Sequence, residues 1–218
     1  MQTRVKRAVA ISIAIGLLGG CAGGGRKPVA SKPVPGKAHV EAMPQPPMGA
    51  TVGMTIPDIG ANGRRVTPNS NLSEAGAIWH LRMALNVAAL SCLSQDAARV
   101  QYNAFLKDHK TALAKANKAV DAEYRAQYGA KGVDMRDRLN TRVYNFFALP
   151  PVQHGFCDQA LSVGRTVNTK KSAELAGYAP QGLASLEAPF LAFYDAYAAY
   201  QQRLAAWRTS GAQLSSAR

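Results

Sequence analysis

Phe190, Phe193, Tyr197, Tyr200, Leu204 and Trp207 recur at steps of 3, 4, 3, 4 and 3 residues. No other pattern in the chain restricts the fold as strongly. That spacing puts six bulky side chains on one face of a helix, and such a face must be buried against other helices. Ser185 is expected to cap this helix. Pro189 then falls in its first turn, where a missing N–H costs no hydrogen bond.

Four more helices are expected upstream. Ile78, Leu81, Leu85, Ala88 and Cys92 form one stripe, with Asn71 and Glu74 as a candidate capping box at its start. A second helix spans Asp96 to Tyr128, with Tyr102, Leu106, His109, Leu113, Ala116, Val120 and Tyr124 on one face and Gly129 and Gly132 at its end. A third spans Asp134 to Leu149, with Leu139, Val143, Phe146 and Phe147 inward, until Pro150-Pro151 breaks it. The fourth starts near Pro151 and carries Phe156, Cys157, Ala160, Leu161 and Val167. Residues 168–182 are weakly patterned and read as a loop with a helical turn. Five helices with short links predict an all-α antiparallel helical bundle over residues 73–210, followed by a disordered tail at 211–218.

The chain before the bundle differs in kind. Residues 22–72 hold eight of the 12 prolines. Residues 21–50 have no helical or strand period and read as a flexible Pro/Gly-rich tether. In residues 51–72 Val52, Met54 and Ile56 alternate, and Asn62-Gly63 is a turn dipeptide. A short hairpin or an extended arm leaning on the helices is expected there, because an isolated hairpin is only marginally stable.

Residues 1–20 have the anatomy of a secretory signal peptide. Arg4, Lys6 and Arg7 precede an apolar run from Ala8 to Leu18. That run is shorter than the about 20 residues a spanning helix needs. Leu18-Gly19-Gly20-Cys21 then resembles the lipobox of bacterial lipoproteins. The resemblance implies a diacylglyceryl thioether on Cys21, cleavage between Gly20 and Cys21, and N-acylation, with palmitate as a typical chain. Several acyl chains, at about 0.8 kcal/mol per buried CH₂, suffice for stable anchoring. Ala22, where an Asp would retain the protein, implies sorting to the outer membrane, facing the periplasm.

The compartment bears on the remaining cysteines. Beyond a secretory signal disulfides are permitted, and Cys92 and Cys157 make an even pair. Their bond is favoured over two buried free thiols. No C-x-x-C pair suggests thiol redox work.

Few residues point to chemistry. His39 lies in the tether, His80 and His109 on helices, and His154 near a helix start. None belongs to a zinc-spaced cluster, an H-E-x-x-H, a G-x-S-x-G or a P-loop. No metal or cofactor is expected. Lys and Arg number 26 against 13 Asp and Glu. From residue 73 onward the excess shrinks to 17 against 11, with no dense basic run. Nucleic acid is therefore excluded as a partner. Tyr194, Tyr197, Tyr200 and Trp207 give the last helix a broad aromatic face. This face is either core or a candidate surface for a ligand or partner helix.

The segments TPNSNLSEAGAIWHLRMALNVAALSC, RVYNFFALPP and LEAPFLAFYDAYAAY are similar to a small group of uncharacterised lipoproteins from alphaproteobacteria. The resemblance covers roughly residues 51–208 and implies no activity. The leading expectation is a membrane-anchored envelope lipoprotein, not an enzyme, that binds or scaffolds. Its partner would be a cell-wall polymer, an anionic lipid or an envelope protein. One alternative is an enzyme whose site gathers His80, His109 or His154 around one pocket. The other is a purely structural envelope spacer.

Overall fold

The computed structural model describes residues 42–92 and 96–216. The signal segment, Gly20 and Cys21, most of the tether and His39 lie outside the described residues.

The expectation of an all-α helical bundle holds. Among the described residues there are six α-helices: α1 (Glu74–Ser91), α2 (Asp96–Asp108), α3 (Lys110–Tyr128), α4 (Gly132–Phe147), α5 (Gln153–Val167) and α6 (Leu175–Ser216). There are six instead of five because α2 and α3 are the two halves of the expected second helix. They part at His109, whose backbone leaves helical geometry (φ −109°, ψ 16°). His109 closes one ladder and opens the next. The His109 N–H donates to the Phe105 carbonyl, and Leu113 N–H donates to His109.

The helix α1 is the centre of the fold and packs against each of the other five. Its sequence explains why. Ala77, His80, Met83, Ala84 and Val87 are buried beside the expected stripe of Ile78, Leu81, Leu85, Ala88 and Cys92. A helix apolar on most sides is a central helix, not a one-faced surface helix. Its cap is Ser73, whose Oγ accepts the Gly76 N–H at 3.0 Å and donates to Glu123 at 2.9 Å. The expected capping residue, Asn71, instead takes left-handed geometry (φ 57°) in the approach to α1. Asn tolerates that region better than most residues.

The largest departure from expectation is α6. It begins at Leu175, inside the expected loop, and Ser185 is an interior residue rather than a cap. Ser185 Oγ donates back to Gln181 O at 3.1 Å. Pro180 and Pro189 both lie within the helix. Each interior proline costs about 3 kcal/mol. Against that, Leu175, Ala179, Leu183, Leu186, Phe190, Phe193, Tyr197, Tyr200 and Leu204 are buried at steps of 4, 4, 3, 4, 3, 4, 3 and 4. Burial is worth roughly 1.5–3 kcal/mol for each large apolar side chain. The stripe therefore outweighs two prolines and carries the helix through them. Pro189 also serves as a contact: a Cβ on Gly155 would sit 3.5 Å from its ring. With Lys170 over the Tyr178 ring at the other end, α5 and α6 run antiparallel. Downstream, α6 continues to Ser216, through most of the stretch expected to be a disordered tail.

Cys92 and Cys157 are joined in a disulfide, with their Cα atoms 5.6 Å apart. The bond links the C-terminal end of α1 to the second turn of α5. No helix of the described residues is long and apolar enough to cross a membrane.

Candidate functional site

Residues 42–72 form an arm laid along the bundle. No strand forms among them. The nearest approach to the expected hairpin is a single bridge between Ile59 and Arg65. Gly63 makes the turn with φ 74°, as Asn-Gly demands, and Arg64 N–H donates to the Asn62 side chain at 3.0 Å. Val52 is exposed, whereas Met54 and Ile56 pack on the core. The seated chain starts before the expected end of the tether. Pro47–Gly49 form a 3-10 turn that rests on α6 and on the Pro150–Val152 turn, and Ala50 is buried.

Three fastenings hold the arm. The first is Tyr197, whose hydroxyl accepts the Met54 N–H and donates to Thr51 O, both at 2.8 Å. One phenol thereby satisfies an amide and a carbonyl of an arm that has no sheet partner. The second is Arg65, with a side chain only 7% exposed. It donates to Asp195 (2.9 Å from Nε, 2.8 Å from Nη2), to Pro57 O at 2.8 Å and to Tyr194 O at 3.2 Å. The rigid guanidinium fork suits such a junction. The third is polar and reaches the core. Thr67 Oγ1 and Asn69 Nδ2 both donate to Glu187 Oε1, and Asn69 Oδ1 lies 2.9 Å from His80 Nδ1. An amide oxygen only accepts, so Nδ1 of His80 carries the proton.

Between this arm and helices α1 and α6 lies a cleft of about 330 Å³. Arg64, Ser70, Ser73, Glu74 and Glu187 supply its polar wall, and Leu72, Leu183 and Leu191 the apolar one. The arrangement can hold a small ligand with both characters. Of these polar groups, Glu187 fastens the arm and Ser73 caps α1.

The sequence-predicted site residues are distributed differently. Tyr194, Tyr197 and Tyr200 are core residues, 7%, 0% and 2% exposed, and Trp207 is half-buried. The proposed aromatic ligand surface is thus corrected: the stripe is the face that α6 packs inward, and its most buried phenol works as an arm fastener. The histidines do not gather round one pocket. His80 belongs to the Asn69–Glu187 network. His109 Nε2 donates to Val167 O at 3.2 Å, tying the helix break to the end of α5. His154 is exposed and 3.5 Å from Asp158. No group of three His, Cys, Asp or Glu residues placed to hold a metal ion occurs among the described residues. What sequence reasoning missed is the arm's fastening by Arg65, Asn69 and Glu187. These residues are far apart in the chain and share no periodicity.

His80 gives this site a measurable pH signature. Burial lowers its pKa from 6.5 to about 4. The unfolded chain takes up the proton near pH 6.5, and the folded chain refuses it until about pH 4. Stability therefore falls as pH drops through that window, by about 3 kcal/mol in all, and is unaffected by this group above it. Urea unfolding across the window should show the loss in the wild type. Its subtraction from a His80→Gln series should recover a slope confined to pH 4–6.5.

Comparison of the chain with protein-family models, with curated proteins and with solved structures gave no match.

Proposed function

We propose that the protein is a lipid-anchored lipoprotein of the bacterial cell envelope, held at the outer membrane and facing the periplasm. It acts by binding or scaffolding through its helical domain. The observation that carries the reading is agreement between two distant parts of the chain. The leader ends in Leu18-Gly19-Gly20-Cys21, and the helical domain contains a disulfide between its other two cysteines. Structural disulfides persist in oxidising compartments, which is where such a leader would deliver the chain. The fastened arm suits a scaffold, since the segment following the tether is fixed to the bundle at three places instead of hanging from it.

The experiment is expression of the full chain in a Gram-negative host with labelled palmitate, beside Cys21→Ser. The wild type should carry label and show a mass for its first peptide that starts at an acylated Cys21. Cys21→Ser should carry no label. An unlabelled wild type with a free thiol at Cys21 overturns the reading. Crosslinking in intact cells then identifies whether the domain meets wall polymer, anionic lipid or an envelope protein.

A further inference from the structure

A second cluster lies away from the arm, on the seam where α1 packs against α4. Half-buried Trp79, Arg82 and Asn86 follow one another along α1 at steps of 3 and 4. Half-buried Arg136, Asn140 and Tyr144 do so along α4 at steps of 4. Two guanidinium groups are held against the single Trp79 ring, Arg82 at 4.8 Å and Arg136 at 5.3 Å from its centroid. They differ in how they are met. Arg136 is locked from α3 by Asp121 and Asn117. Arg82 has neither a hydrogen bond nor a carboxylate partner among the described residues; its contacts are the indole ring and the electrostatic effect of its charge on Tyr102.

The unmet groups share one chemical sense. Trp79 Nε1 and Arg136 Nε are buried N–H donors without an acceptor, and the buried Tyr102 hydroxyl is also without a partner. The Arg82 guanidinium offers donors and no acceptor. Two cations share one ring, and Asp121 neutralises one of them. An apolar packing role accounts for the indole, but not for a half-buried cation with no counter-ion beside unused donors. An oxyanion on the half-buried Arg82 supplies what is absent: negative charge and lone pairs for its guanidinium, beside a second guanidinium over the same ring.

We propose that Arg82, Trp79 and Arg136, with Tyr102 beside them, form a recognition site for an oxyanion-bearing ligand, a phosphate or carboxylate group, at the α1–α4 seam. Arg82 is the residue that binds the anion. Arg136 is a positioning residue, fixed in advance by α3. The proposal stands apart from lipid anchoring and is tested independently of it.

The chain has two tryptophans, Trp79 and Trp207. Their indole N–H resonances in the full chain, purified in a non-ionic detergent, report on the site directly. Chloride is replaced by inorganic phosphate, and separately by acetate, at constant ionic strength. The Trp79 signal should move saturably in the millimolar range with at least one of the two, while Trp207 stays still. The anion giving the tighter saturation assigns the ligand class. Arg82→Gln should weaken binding about tenfold or more, and Arg82→Lys should restore part of it. Absence of saturable movement with both anions overturns the proposal even if the variants fail to fold. An unchanged affinity in a folded Arg82→Gln also overturns it.

Discussion

Loss of the Cys92–Cys157 disulfide is expected to lower the free energy of unfolding by about 4 kcal/mol, on the chain-entropy estimate for a closed loop of this length. The two cysteines are 65 positions apart, so the bond restrains most of α1's surroundings in the unfolded chain: α2, α3 and α4 all lie inside the loop. In the folded protein the bond ties the central helix to α5 at a point where Cys92 is 4% exposed. Urea unfolding of the oxidised wild type against Cys92→Ala/Cys157→Ala, at the same pH, measures the difference. A loss under about 1 kcal/mol would mean that helix packing alone already restricts that loop when the chain is unfolded.

Truncation of Phe190 to Ala should cost a comparable amount, about 3–5 kcal/mol. Its ring is fully buried and meets three others: Phe146 at 4.7 Å, Phe156 at 5.4 Å and Phe147 at 5.5 Å between centroids. Those rings come from α4 and α5, so one side chain of α6 holds two helices together. The neighbours are rigid aromatics fixed by each other, as in the Phe147–Phe156 stack at 5.6 Å, and they close poorly over a void. Thermal and denaturant unfolding of Phe190→Ala and Phe190→Leu check the point. The Leu variant should retain a good part of the loss. A Phe190→Ala protein within 1 kcal/mol of wild type would show that the cluster collapses freely and does not set the α4–α5–α6 junction.

These two expectations rest on parts of the fold that periodicity makes legible. The stripes through Leu139, Val143, Phe146 and Phe147, and through Phe190 to Leu204, are visible because each large apolar residue falls on the same face as the last. The Cys92–Cys157 pair is legible through count and compartment. Legibility fails where a local signal opposes a tertiary one. Pro180, Gly177 and Gly182 argue against helix and Pro189 reads as a first-turn residue, yet α6 runs through all four because Leu175, Ala179, Leu183 and Leu186 find a partner surface on the bundle. His109 fails in the opposite direction. It sits on a continuous apolar stripe and gives no breaking signal. The turn there accompanies its ring's bond to Val167 O, a carbonyl 58 residues away. The aromatic face of α6 was visible as a face, but its destination was not. Tyr194 meets Phe146 of α4 and Tyr197 meets the arm, neither of which is encoded near them. Arg82 was invisible as a site residue because a lone arginine on a helix is normally a solvated charge. Only the approach of Arg136 to the same indole distinguishes it.

The arm's attachment has a mechanical consequence. Tension arriving through residue 42 is delivered first to Ala50, Thr51 and Met54, hence to the phenol of Tyr197, and only afterwards to Arg65 and Glu187. Tyr194, Asp195 and Tyr197 lie near the centre of α6 and Glu187 some two turns before them, so a steady pull strains the longest helix of the bundle near its centre and spares the first turn of α1. The fastenings would have to part in that order before any helix began to unravel, giving the molecule a stepwise yield under force instead of a single rupture.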